Sequence, residues 1–435
     1  MKFCSKIFSS WYFRWFLIGL LLRLVLAIFT FHSDIRALNL GAFLIAKEGV
    51  FNIYEYLQHV PSGNSLLNVF RVDLFLYPIL AYFVPAVFMW ILSPLYDFSI
   101  QNKFLISPSE LFGNLAIYRH LLLLKTPYFF FDLPLAFLLT KLFDDEKRRR
   151  MAFLLWLFNP VTLYATFMIG QFDIIPTFLV ILSLVFALQK KPLLAVLSLG
   201  LGGGFKLYPL FLLVPAIFVL GKTFRERFKL ALAGGLAFLA PILPYLPSGA
   251  FRSFALFTPK SQKMLFLSWN ITGAEVLFPF VIIFVLIVLH ASYFGKGKIT
   301  DLWKYYFAVL LLFFSVTHYH PQWFLWLTPL MIIELLQNDF VHKWLHLTLF
   351  AIFIFIVLMF EPSLSYGLFS PILPQLANGP NLSDFVNRYY DVFQLKSILR
   401  SIFAAFSIWI IFDLLIFRSK SHEGYVQSLE DKGKR

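Results

Sequence analysis

The sequence predicts an all-α polytopic membrane protein, and three observations carry that prediction. Of the 435 residues, 60% are hydrophobic and only 14% are charged, with a mean hydropathy of +0.77. Apolar runs of roughly 20 residues recur along the chain, and each is long enough to cross a bilayer. Short basic segments separate them, the pattern that orients helices in a membrane.

This composition excludes a soluble globular domain. No linker divides the chain, so 1–417 reads as one transmembrane domain and 418–435 as a cytoplasmic polar tail. The only cysteine, Cys4, allows neither an internal disulfide nor a cysteine metal site. The net charge of +14 fits either cytoplasmic loops or anionic ligands on the other face. The basic residues are scattered between spans, which argues against nucleic acid. The stretch from Met1 to Phe31 is too long, and too rich in Arg14 and Arg23, for a cleaved signal, so it reads as an uncleaved first span.

Each element follows from apolar length and flanking charge. The basic N-terminus places the first span outward. Residues 32–73 are too polar to cross and form the first outer loop. Lys141 to Arg150 is the strongest cytoplasmic signal, so the apolar run before it must run inward. Residues 74–95 then cannot cross once without inverting that sign. They also carry Pro78, Pro85 and Pro94, and read as an outer-face juxtamembrane or re-entrant element. Two runs too short to cross flank Lys206 and have basic outer flanks, which predicts a broken-helix hairpin with Lys206 at its tip. The remaining runs bring the total to about ten full spans. They place Gly170 to Asp173, His318 to Gln322 and Glu361 to Leu395 outside.

The polar residues within membrane reach then collect at the outer face: Asp34, Arg71, Asp73, Asp173, Lys206, His318 and His320. Carboxylates beside cations suit phosphate recognition together with a base. Each residue also has a plainer reading. Asp34 can cap a helix. Gln171 and Asp173 can tie helix ends. Lys206 can snorkel or pair with Asp132. The segment containing Tyr77 can be a proline-kinked span. His318 and His320, at i and i+2 with no Glu between, are not a helical zinc pair and can be structural. Lys125 and Asp132, two turns apart, read as structural glue. No cofactor or metal is expected.

Several short motifs occur in a telling order. Asp34 is followed by Asn39, Gly41, Gly49 and Tyr54; then come Tyr77-Pro78-Ile79-Leu80-Ala81-Tyr82, Asn159-Pro160, Gly170-Gln171-Phe172-Asp173, Phe205-Lys206-Leu207-Tyr208-Pro209 and His318-Tyr319-His320-Pro321-Gln322-Trp323. This order resembles that of the GT-C superfamily of polyprenyl-phosphate-sugar-dependent glycosyltransferases. It is most similar to glycosyltransferase family 87 and to the mannosyltransferase that adds the first mannose of the GPI anchor.

The resemblance implies a GT-C fold and an inverting hexosyltransferase, with mannose as its sugar, acting in glycolipid biosynthesis. It would take its sugar from a polyprenyl-phosphate donor and pass it to a lipid or glycan acceptor. Asp34 would be the catalytic base. Lys206, His320 and Arg71 would hold the donor phosphate. Gln171, Asp173, Tyr77, His318 and Gln322 would position substrate. The site would face outward from a plasma membrane, or into the lumen from the endoplasmic reticulum. A secondary transporter or a lipid-linked-sugar flippase is the competing expectation.

Overall fold

A computed structural model of the protein describes residues 10–60, 70 and 74–417. Among these the architecture is helical, apart from a two-stranded antiparallel hairpin of Trp269–Asn270 and Val276–Leu277. In chain order the main helices begin with α1 (Ser10–Phe29), α2 (Asp34–Ala46), α3 (Leu80–Ile91), α4 (Leu115–Thr140) and α5 (Glu146–Leu157). Next come α6 (Ile174–Leu188), α7 (Pro192–Gly203), α8 (Tyr208–Leu220), α9 (Phe224–Ile242) and α10 (Pro279–Phe294). The series ends with α11 (Leu302–Val316), α12 (Thr328–Gln337), α13 (Lys343–Leu358) and α14 (Val392–Phe412).

The chain is an all-α, multi-pass membrane protein. Among the described residues six stretches, built on α1, α4, α5, α9, α11 and α14, are long and apolar enough to span; α3, α6, α7, α8, α10 and α13 are shorter apolar helices of 10–17 residues. Hydropathy alone counted about ten full spans because apolar runs continue through helix breaks. One such break is the 3₁₀ segment Pro321–Trp326, which precedes α12. At 12 residues, α3 rises about 18 Å, well short of the hydrocarbon core. It packs on α2 and α4 instead.

Local chemistry fixes the turns. At the inner end, Asp145 accepts from the Arg148 N–H at 2.9 Å and starts α5. Thr223 and Glu226 form a reciprocal capping box that starts α9. Helices α7 and α8 make the hairpin that breaks at Gly204 to Leu207. A Cβ on Gly200 would lie 2.0 Å from the Gly234 carbonyl oxygen, so α7 and α9 touch backbone to backbone.

Buried charges clamp the bundle. Arg23 pairs with Asp132, both fully buried, and also donates to the Leu157 carbonyl at 2.8 Å. This joins α1, α4 and α5. Lys125 does not associate with Asp132. Its ammonium donates to the Thr30 and Ala27 carbonyls at 2.7 and 3.1 Å, where a cation satisfies the open C-terminal end of α1. At the inner end, His342 lies 2.6 Å from Glu334 and 3.1 Å from Asp413, while His346 lies 2.7 Å from Glu334. That cluster binds α12, α13 and the segment after α14.

Breaking a buried ion pair on one side leaves an uncompensated charge, at about 3–5 kcal/mol. Asp132→Ala is therefore expected to lower thermal stability severely. The double variant Arg23→Met/Asp132→Leu should recover most of the loss in the same melting assay.

Candidate functional site

The helices enclose a cavity of about 660 Å³. The start of α2, residues 74–82, the α7–α8 tip, residues 255–264, residues 320–326 and residues 360–364 all contribute walls. Its lining is mostly apolar and aromatic; Asp34, Gln171 and Gln322 meet within it and, with Lys206, form its polar floor, a combination that suits an amphipathic ligand. The outer segment that completes it is strapped to the early chain. The Tyr164 hydroxyl donates to the Leu364 carbonyl at 2.7 Å, the Phe31 N–H to Leu368 at 2.8 Å and the Tyr118 hydroxyl to Pro371 at 2.9 Å.

Asp34 does not cap its helix. Ser33 holds the N-cap position of α2 without a side-chain bond, and Asp34 is the first helical residue. One carboxylate oxygen accepts from Gln171 Nε2 at 2.9 Å and from Gln322 Nε2 at 3.4 Å. The other lies 3.6 Å from His32, and the side chain remains 44% exposed to the cavity. Burial holds the His32 imidazole below its ordinary pKa, although Asp34 and Glu361 pull it upward. Gln171 arrives through a local device. A π-helical segment, Leu163–Met168, ends at Gly170, whose φ is 81°. A Cβ there would lie 2.7 Å from Ile35, so only glycine allows this turn.

Lys206 sits at the hairpin tip, but neither as a snorkelling lysine nor as a partner of Asp132. Its Nζ lies 2.7 Å from Asp173 Oδ1. The rings of Tyr77, Phe172, Trp323 and Trp326 surround it at 4.9, 5.4, 5.0 and 4.9 Å. Trp326 also donates to Asp173 and stacks on Tyr208 at 4.1 Å. The charge is thus neutralised and enclosed, though Lys206 still forms part of the cavity floor. Asp173 is fully buried behind it and reaches no cavity surface. Asp173 thus supports Lys206 from behind rather than lining the cavity itself.

Tyr77, His320 and Gln322 line the cavity with Asp34, Gln171 and Lys206. His318 does not line it; its environment is the cationic group Arg400, Lys263 and Lys396. Arg71 and Asp73 lie outside the described residues. Sequence reasoning assigned no role to Glu361, which faces the cavity exposed, nor to Lys263, which lines it with its Nζ 5.0 Å from the Trp323 ring. The available signal for Glu361 was a lone acid closing an apolar run at its outer end.

The sequence model of a family described as GPI transamidase subunit PIG-U matches residues 69–327, more than half of the chain. No curated protein matches it. The family match overturns the resemblance to GT-C, family 87 and first-mannose glycosyltransferases. With it go the sugar-transfer activity, the hexosyltransferase class, the polyprenyl-phosphate sugar donor and the flippase alternative. The physical reason lies in what the motifs build. Gly-Gln-x-Asp, Phe-Lys-x-Tyr-Pro and His-Pro-Gln form the floor of a membrane cavity and its buried supports, and such a scaffold does not specify a reaction.

Two predictions follow from the floor. Lys206→Met leaves Asp173 buried and unpaired, and should cost about 3–5 kcal/mol in a melting assay; Lys206→Met/Asp173→Leu should restore much of it. Burial pushes the imidazoles of His318 and His320 down to about 4. The unfolded chain takes up those protons from about pH 6.5 downward, so their contribution is present above that pH and drains toward pH 4. The melting temperature of the wild type relative to His320→Gln should fall as pH drops from 7 to 4.5. A constant difference would show that His320 titrates as it does in water.

Proposed function

The chain belongs to the PIG-U family of GPI transamidase subunits, multi-pass proteins of the endoplasmic reticulum membrane, and we propose that it serves its transamidase by holding the head of the glycosylphosphatidylinositol lipid. The observation that carries this reading is the cavity of about 660 Å³, lined mostly by apolar and aromatic side chains and polar at Asp34, Gln171 and Gln322. Apolar walls suit the membrane-proximal part of a lipid, and a polar floor suits its head. Exchange at an amide needs a nucleophile activated by a neighbouring base. No described cavity residue pairs a serine or cysteine with a histidine, and Cys4 belongs to the basic N-terminus. Recognition therefore fits this chain better than acyl chemistry. Its partners on this reading are other transamidase subunits and the glycolipid.

The test fills the cavity. Ala37→Trp and Leu256→Trp should each lower attachment of a GPI-anchored reporter at least tenfold. The free glycolipid should accumulate, and the variant subunit should still co-purify with its complex. Full reporter attachment with a filled cavity would end the proposal.

A further inference from the structure

Two carboxylates face the cavity at its His32 end. Asp34 is 44% exposed and its only ion-pair neighbour among the described residues is His32. Glu361 is exposed, lines the same cavity and has no ion-pair partner among the described residues. His32 lies between them, and burial keeps its imidazole from holding a proton at neutral pH. Among the described residues no lysine or arginine forms an ion pair with Asp34 or Glu361.

The neighbouring groups are also acceptors. Gln171 and Gln322 spend their amide N–H groups on Asp34. Their side-chain oxygens are buried without partners, though both residues line the cavity and are at least 95% buried. A site with two carboxylates and two unpartnered side-chain carbonyl oxygens suits a ligand rich in donors. A primary ammonium has three donors and no acceptor. A metal ion suits it less, because no described group of three His, Cys, Asp or Glu side chains can hold one. Lys206, Lys263 and Arg36 also line the cavity, but Asp173 takes up the charge of Lys206 at 2.7 Å, and Arg36 donates to the Leu105 carbonyl at 2.8 Å rather than to either carboxylate.

We propose that Asp34 and Glu361 hold the protonated primary amine of the glycolipid head, an assignment that rests on the recognition role above. The name transamidase supplies the chemical link, because such an enzyme moves an acyl group onto an amine. The amine attacks through its nitrogen lone pair, forms the new C–N bond and loses its proton as the old amine leaves. Held between two carboxylates, it keeps that proton and cannot attack. The site therefore stores the amine in an unreactive form, and attack follows its release to another subunit. An ethanolamine amine and an amino-sugar amine share this chemistry.

Four probes test the assignment on the full chain in detergent: dodecylphosphoethanolamine, dodecyl glucosaminide and the N-acetylated form of each. The readout is the dissociation constant. Acetylation should weaken at least one pair tenfold or more in the wild type, and which pair responds identifies the source of the amine. Glu361→Gln, at an exposed position, and Asp34→Asn, which keeps an acceptor for both glutamines, should each abolish that discrimination. Equal binding of free and acetylated probes by the wild type overturns the assignment, as does discrimination that survives both substitutions. If acetylation has no effect while cavity filling still blocks reporter attachment, the ammonium assignment falls and the recognition role stands.

Discussion

The outer half of the molecule depends on the burial of one ammonium group. An unpaired lysine between two half-helices would be too costly in a low-dielectric interior. Asp173 supplies the counter-charge at 2.7 Å and four rings supply a polarisable wall. The consequences spread through the fold. The hairpin tip is pinned to the start of α6, the Trp323–Trp326 stack is pinned to the tip, and Gln322 is brought to Asp34. The cavity floor is rigid because its cation is already paired.

The family assignment and the motif order fit together once structure is separated from chemistry. A run of apolar helices with an acid after the first span and a broken hairpin around a lysine makes a cavity at one membrane face. Such an architecture does not by itself specify a reaction. The chemistry of the cavity is set by what stands beside Asp34. Two glutamine amides steady one of its oxygens, while the other remains turned toward the void.

Much of this was legible in the sequence. Hydropathy and the basic Lys141 to Arg150 segment gave the membrane class and the side on which polar residues collect. The Gly-rich break before Phe205 gave the hairpin with Lys206 at its tip. What periodicity could not give was partner choice. Lys206, Lys125 and Arg23 are all cations in apolar surroundings, and one-dimensional spacing favoured Asp132 for the wrong ones. Asp132 went to Arg23 because α1 and α4 pack together. Asp173 went to Lys206 because the hairpin folds back beside α6. Glu361 stayed invisible for the same reason, since it reaches the site only through an outer strap joined to residues far earlier in the chain.

That strap has a consequence for biosynthesis. The cavity takes one wall from residues near Asp34 and another from residues near Glu361, which leave the ribosome far apart in time. At roughly 5–20 residues per second, the interval is on the order of tens of seconds. Lys206 joins the floor midway through that interval, and His320 and Gln322 only late in it, shortly before the strap is made. The cavity is therefore a property of nearly the whole chain, and a polypeptide that stops before residue 360 lacks one of its walls.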